Sequence, residues 1–362
     1  MKFKVNSKAL YATLSTVSKV INSKNAMTIL NNFLFEIKGD NLSVTASDLE
    51  NTLTASIEIK DSEDDGKFCV DARRMVELFK ELPEVDIDFQ VTNDLQIKIS
   101  HKDGVFDFAA IPGEEYPTTI HDDEQPIDFS FKAPCNQIID GIENTLFAVG
   151  NDDLRPQMMG IFLDIVPEHI TFVSTDTRKL VRYINSTAQP GITGSFILPS
   201  KPANILRQSL VRDEEVMIDV TSKAATFTTG HISFNCRLIK GNFPSYNNVI
   251  PKQTAYKLDV DRASMLNAIR RVSVFVDPSH GLVKFRITPD SIELKAQDNS
   301  FCTLGREKIP CSFSGEEMII GFSAMFIIDI FNIISTDTVV ANFIDPSRPG
   351  VFTPFEQKEG TD

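Results

Sequence analysis

Apolar residues at Leu10, Leu14, Val17 and Ile21 recur at i, i+4, i+7 and i+11, the spacing of one face of an α-helix. The same stripe returns at Ile138, Ile142, Leu146 and Val149, and again at Met265, Ile269, Val272 and Val276. A second helix is predicted to start near Ala72, Ser200 and Ser323, each time after an apolar strand end at Val70, Leu198 or Ile320. Much of the remainder alternates at period two, as in Leu95-Gln-Ile-Lys-Ile99 and Val216-Met-Ile-Asp-Val220, which predicts strands with one buried face.

These elements form an internal repeat. Its marker is an alternating strand that runs into an aspartate: Leu42-Ser-Val-Thr-Ala-Ser-Asp48, Ile170-Thr-Phe-Val-Ser-Thr-Asp176 and Ile292-Glu-Leu-Lys-Ala-Gln-Asp298. The aspartates are 128 and 122 residues apart. A preceding strand keeps the same offsets through Phe35 and Ile37, Leu163 and Ile165, and Phe285 and Ile287, and the strand ends Val70, Leu198 and Ile320 keep them too. The fold class that follows is α+β: three tandem repeats of a unit with two helices packed on antiparallel sheet. Polar, proline-containing segments at His121-Asp-Asp-Glu-Gln-Pro126 and Pro251-Lys-Gln-Thr254 divide the chain into units 1–124, 125–251 and 252–362.

A row of sheet-containing units leaves a strand edge unpaired at each end, and another chain can cover such edges. Head-to-tail contacts of this kind close into a ring when the rotation divides a full turn. Two chains of three units give six units and twelve helices. With helices about 10 Å across lining the inside, the hole is roughly 28 Å wide, enough for a hydrated duplex.

Charge bears on that idea. The net charge is −14, which speaks against nucleic acid unless the positive residues are segregated. The predicted helices carry Lys8, Lys19, Arg73, Arg74, Lys80, Lys201, Arg207, Arg212, Arg262, Arg270 and Arg271, several of them opposite the apolar stripe. Acidic runs fall in strands and loops, at Asp61-Ser-Glu-Asp-Asp65, Asp122-Asp-Glu124 and Asp213-Glu-Glu215. A basic channel lining with an acidic exterior fits this distribution; for any one of these residues a solvated helix face fits equally well. Contacts of this kind are independent of base sequence and sensitive to salt. Five scattered cysteines without a CxxC pair suit free thiols in a reducing compartment. No run reaches the roughly 20 apolar residues of a membrane helix, and the first residues do not read as a signal peptide.

In the order and spacing of several motifs the chain resembles the bacterial DNA polymerase III beta subunit family, the sliding clamps. The resemblance is carried by Met1-Lys-Phe-Lys-Val5, Ile29-Leu-Asn-Asn-Phe-Leu34, Gly160-Ile-Phe-Leu163, Ser174-Thr-Asp-Thr-Arg-Lys-Leu180 and Asn242-Phe-Pro-Ser-Tyr246. It implies the DNA clamp fold, dimerising head-to-tail into a ring around double-stranded DNA. It also implies a cytoplasmic, nucleoid-associated processivity factor without cofactor or metal, and not an enzyme. The partners it implies are DNA polymerase subunits, the clamp loader and repair proteins. These bind by short linear motifs in a pocket that involves Met158, Thr175, Thr177, Arg178, Leu180, Pro244 and Val249. Lys24 and Lys201 are implied to face DNA, to which the helical Arg73, Arg74 and Arg207 are added. Phe106 is implied to meet Val274 and Phe275 of a second copy. Two departures stand out. Thr177-Arg178-Lys179 stands where many relatives carry glycine and histidine. The third repeat also lacks the final strand that Phe106-Asp-Phe-Ala-Ala-Ile111 and Phe234-Asn-Cys-Arg-Leu-Ile239 supply in the first two, and with it the apolar tail of the pocket.

No catalytic constellation accompanies the repeat. His101, His121, His169, His231 and His280 lack metal-ligand spacing, and neither a phosphate loop nor a nucleophile elbow occurs. Asp48, Asp176 and Asp298 could be read as a carboxylate cluster for two-metal chemistry. Their equivalent places in three separate units favour hydrogen bonding to backbone at a strand end instead. The alternative functions are a nucleic-acid enzyme, such as a metal-dependent nuclease, or a protein-binding repeat scaffold that does not touch DNA.

Overall fold

The computed structural model describes residues 1–362 apart from 23, 26, 118–125, 358, 359 and 362; the first boundary segment therefore falls largely outside the described residues. The chain begins with β1 (Lys2–Asn6), α1 (Ser7–Val17), β2 (Asn32–Lys38), β3 (Asn41–Ser47), β4 (Asn51–Glu58), β5 (Gly66–Asp71), α2 (Ala72–Glu81), β6 (Asp86–Val91), β7 (Gln96–His101), β8 (Gly104–Ala109) and the short β9 (Ile111–Pro112). The succession starts again with β10 (Phe129–Pro134), α3 (Cys135–Thr145), β11 (Gly160–Val166), β12 (His169–Thr175), β13 (Leu180–Asn185), β14 (Gly194–Pro199), α4 (Ser200–Ser209), β15 (Glu215–Val220), β16 (Ala224–Thr228) and β17 (Ile232–Arg237). It starts a third time with β18 (Tyr256–Asp261), α5 (Arg262–Ser273), β19 (Leu282–Thr288), β20 (Ser291–Asp298), β21 (Thr303–Pro310), the short β22 (Ser312–Phe313), β23 (Met318–Ser323), α6 (Ala324–Ile333), β24 (Thr338–Phe343) and β25 (Val351–Pro354). Among the described residues no strand follows β25, where β8 and β17 follow β7 and β16.

By compactness the chain divides into two units. Unit 1 holds residues 1–142, 151–172 and 185–241; unit 2 holds 143–150, 173–184 and 242–362. In unit 1, β1-β6-β7-β8 form one sheet and β10-β15-β16-β17-β4-β3-β2-β5-β9 form a second, nine-stranded one. The second sheet is continuous because β17 of the middle repeat lies antiparallel on β4 of the first, with Ile232 opposite Ala55, Phe234 opposite Leu53 and Cys236 opposite Asn51. Backbone bonds from Ser56 to His231 and from Arg237 to Glu50 extend that ladder. In unit 2 the sheets are β22-β18-β24-β25 and β21-β20-β19-β23.

Each helix buries the face its sequence predicted. Leu10, Leu14 and Val17 are fully buried, as are Ile138 and Ile142, and Met265, Ile269 and Val272 pack into one core with Phe285, Ile287 and Phe331. The fourth stripe position does not belong to the helix in any repeat. α1 and α5 end before Ile21 and Val276, and α3 ends before both Leu146 and Val149; these residues ride on the segment leaving the helix. In the first repeat that segment is a 3-10 turn, Ser18–Val20, that buries Val20. Helix starts are capped by side chains, Asn6 on α1, Asp71 on α2 and Asp261 on α5.

One sequence match needs correction. Phe33 pairs with Val70 and Ile161 with Leu198, but their counterpart Val283 pairs with Phe322, not Ile320. The reason lies in the turn after the marker aspartate. Asp48 closes on Asn51 and Asp176 on Lys179, whereas Asp298 pairs with Thr303, so the third turn is two residues longer and the offset changes beyond it.

The cysteines are free thiols, with Cys69, Cys135 and Cys236 buried and Cys302 exposed. Burial pushes the Cys69 thiol up to about 12 and that of Cys135 up to about 11. No helix among the described residues is long and apolar enough to cross a membrane.

The aspartate turn can be tested in its third copy, where the carboxylate has no ion-pair partner among the described residues. Asp298→Ala leaves two backbone donors without their acceptor and is expected to lower unfolding free energy by about 1–3 kcal/mol. Asp298→Asn keeps an acceptor and should lose far less; equal losses in urea denaturation would contradict the assignment.

Candidate functional site

The marker aspartates hold their own turns. Asp48 Oδ1 accepts the N–H groups of Glu50 at 3.0 Å and Asn51 at 2.7 Å. Asp176 Oδ1 accepts those of Arg178 at 2.9 Å and Lys179 at 2.8 Å, and Asp298 Oδ1 those of Ser300 at 2.8 Å and Phe301 at 3.3 Å. This is the backbone role, in all three copies. Among the described residues no three His, Cys, Asp or Glu side chains are placed to hold one metal ion. The residue after the aspartate sits in the left-handed region in two copies, Leu49 at φ 75° and Thr177 at φ 77°. Only glycine adopts that conformation without steric cost.

Thr177 belongs to a surface of unit 2. Buried Thr175 donates its hydroxyl to the Lys179 carbonyl at 2.8 Å and accepts the Thr177 N–H at 3.1 Å, which fixes the turn from inside. Thr177 and Arg178 are exposed, and Leu180 and Pro244 are half-buried. Val249, just past the turn Tyr246–Asn248, is 58% exposed. Met158 lies in unit 1. Sequence reasoning passed over Lys179. Its side chain is only 14% exposed, with Nζ 3.3 Å from Asp329 and 3.8 Å from Asp176. The ammonium also lies 4.6 Å from the Phe326 ring centre and 5.6 Å from that of Phe147. Its spacing of three after Asp176 is the one signal that the sequence offers; Asp329 and the rings come from distant segments.

The basic residues separate into bound and free. Lys201 Nζ bonds the Val20 carbonyl at 3.0 Å and Asn22 Oδ1 at 2.6 Å, and forms an ion pair with the nearly buried Asp48 carboxylate. Lys19 reaches in the opposite direction, to the Gln208 carbonyl in the last turn of α4, and burial lowers its ammonium from the ordinary value. These two lysines join the first repeat to the second, beside the β17–β4 ladder. Arg212 and Arg271 pair with Asp140 and Glu307, and Arg270 and Arg262 with Asn332 and the Phe331 carbonyl. Lys24, Arg74 and Lys80 are exposed, Arg207 bonds Asn204 within α4, and Arg73 is 85% exposed beside Glu77.

Two of the sheet edges lie beside exposed apolar residues. β8 closes one side of its sheet in unit 1, with Phe106 and Phe108 half-buried above Arg74 and Leu78 in a shallow cleft. β21 closes one side of its sheet in unit 2. Beside it Val274 is 78% exposed and Phe275 lies over Gly305, where a Cβ would come within 2.5 Å of the ring.

Family models of the DNA polymerase III beta subunit match in three consecutive segments, the N-terminal domain over residues 1–120, the central domain over 133–245 and the C-terminal domain over 247–361. The chain belongs to the DNA polymerase III beta subunit family. Relatives named beta sliding clamp include those of Chlamydia muridarum, 25% identical over 98% of this chain and 95% of the relative, and of Treponema pallidum, 26% identical over 96% and 94%. The fold matches the sliding clamp of Pseudomonas aeruginosa, crystallised with griselimycin, with a TM-score of 0.93 at 23% identity over 100% of this chain and 97% of that one. It also matches the beta subunit of Thermotoga maritima, with a TM-score of 0.90 at 23% identity over 99% and 97%.

Within this beta subunit the Thr177 departure acquires a physical meaning. Glycine at that place fits a φ of 77°, and a β-branched threonine there is strained. Thr177→Gly is expected to raise stability by about 1 kcal/mol, while Thr177→Val raises it not at all. A Thr177→Gly protein that denatures at lower urea than the parent would contradict the strain.

Proposed function

We propose that this beta subunit is a non-enzymatic, cytoplasmic sliding clamp. Two copies close head-to-tail into a ring that encircles duplex DNA, and short peptides of polymerase subunits, the clamp loader and repair proteins bind on its surface. The observation that carries the reading is the open outer edges of β8 and β21, each beside exposed or half-buried apolar side chains, in a chain that already joins two of its repeats by pairing such edges. A second copy satisfies both edges, which a protein otherwise leaves open to aggregation. The exposed Lys24, Arg73 and Arg74 supply cations for phosphates, and Arg207 and Lys201 contribute from half-buried sites beside Asn204 and Asp48. Val274, Phe275 and Phe106 are the apolar side chains for a partner to cover.

For peptides, the supporting feature is the combination in unit 2 of apolar Leu180, Pro244 and Val249 with the polar turn Thr175, Thr177 and Arg178. Few polar groups beside apolar ones are what orients a short segment. Thr177 and Arg178 make the rim bulkier and more basic than glycine and histidine do, which favours peptides with an acidic residue at that place.

A topological link behaves unlike a bound ligand. Once loaded on closed circular DNA, the protein is expected to stay through a high-salt wash and to leave within the same wash when the circle is cut. Retention that tracks salt equally on both forms would contradict encirclement.

A further inference from the structure

The third repeat carries a row of like charges across the middle of its sheet. Lys284 on β19 lies directly opposite Lys295 on β20, and Lys295 lies directly opposite Arg306 on β21. All three side chains leave the core side, since the alternate residues Val283, Phe285, Leu294, Ala296 and Gly305 are buried. Neighbouring strands are about 4.8 Å apart, so the row sets three cations side by side. Like charges directly opposite one another destabilise a sheet. None of the three forms an ion pair among the described residues. The chain has 50 Asp and Glu against 36 Lys and Arg, so a shortage of carboxylates does not explain this. One row along, the charges are matched: Glu317 accepts Arg286 at 2.9 and 3.0 Å, and Glu293 sits between Arg286 and Lys308.

The first repeat shows that the sheet does not need this row. There the same places hold Leu34, Thr45 and Thr54, and the two threonine hydroxyls bond each other at 2.8 Å. Cations on a sheet can also protect an open edge from wrong pairing. That accounts for Arg306 on β21, but β19 and β20 are the inner strands of their sheet and have no open edge. Lys284 and Lys295 thus serve neither the fold nor the edge.

Aliphatic side chains frame the row. Leu282 and Leu304, 54% and 46% exposed, lie on one side of it, and Ile319, 44% exposed, lies on the other. Leu282 leans over Gly321, which stands opposite Lys284. No outward residue of the four strands is aromatic, so nucleic-acid bases have nothing here to stack on. A long polyanion also meets the repulsion of a chain of net charge −14. A short segment feels mainly the charges within a Debye length, about 10 Å at 0.1 M salt. We propose that this face docks a short acidic segment of another protein, with carboxylates on Lys284, Lys295 and Arg306 and apolar side chains against Leu282, Leu304 and Ile319. The proposal does not depend on the dimeric reading, because Lys284 and Lys295 lie on inner strands, away from the edge that a second copy would pair.

Fluorescence anisotropy of the full chain with a short labelled peptide rich in Glu and Leu tests the site. Lys284→Glu with Lys295→Glu is expected to weaken binding about tenfold, and Lys284→Arg with Lys295→Arg to retain it. Lys60→Glu with Lys98→Glu changes the net charge equally, at exposed lysines of unit 1, and should leave binding unchanged. Lys295→Thr, which installs the first repeat's residue, should weaken binding severalfold and raise the urea midpoint, because it removes a like-charge contact. A peptide that does not bind, or that binds the Lys284→Glu, Lys295→Glu protein as well as the parent, would overturn the site. Equal weakening by the Lys60 and Lys98 changes would overturn it too, since the field of the whole chain would then suffice. A labelled single-stranded or duplex oligonucleotide that loses affinity in the Lys284→Glu, Lys295→Glu protein, while the peptide does not, would replace the acidic segment with nucleic acid. A lower urea midpoint for Lys295→Thr would contradict the repulsion on which the argument rests.

Discussion

The unpaired edge of a β-sheet is the constraint that organises this chain. A strand edge exposes a row of N–H and C=O groups that must find partners, and β17 meets the need in unit 1 by pairing with β4. That ladder merges sheets of two repeats into one of nine strands. Lysines at its flank, Lys19 and Lys201, act across the same junction on a carbonyl and a carboxylate. Lys201 satisfies a carboxylate that burial would otherwise leave costly, which makes it structural although its helix position suggests a solvated face.

The beta subunit thus places residue types by junction as much as by helix face. Asp48 pairs with a lysine from the next repeat's helix. Asp176 is served by Lys179 from its own turn, with Asp329 and two phenylalanine rings around it. Asp298 has its backbone bonds and no ion-pair partner among the described residues. The aspartate's backbone bonds are therefore kept three times, while the turn around them and the charge beside them differ.

Much of this was legible in the sequence, because a repeat multiplies weak signals. Period-two strands and the apolar stripes located the sheets and helices, and the aspartates found their backbone role through side-chain chemistry alone. The fourth stripe positions misled because apolar burial continues past the helix end, as Val20 shows in its 3-10 turn. Ile320 was mismatched because an inserted pair of residues after Asp298 leaves no trace in an alternating pattern of period two. Lys201 as a junction residue and Lys179 as a caged cation were illegible: each depends on partners far away in the chain. The edges β8 and β21 became recognisable only when the partners of every neighbouring strand were known.

A second copy is expected to satisfy the open edges of β8 and β21. Sedimentation equilibrium of the purified protein at micromolar concentration, without DNA, tests it directly. The expected result is a single species of twice the 40.4 kDa chain mass. A species of 40.4 kDa that stays monomeric as concentration rises would contradict it.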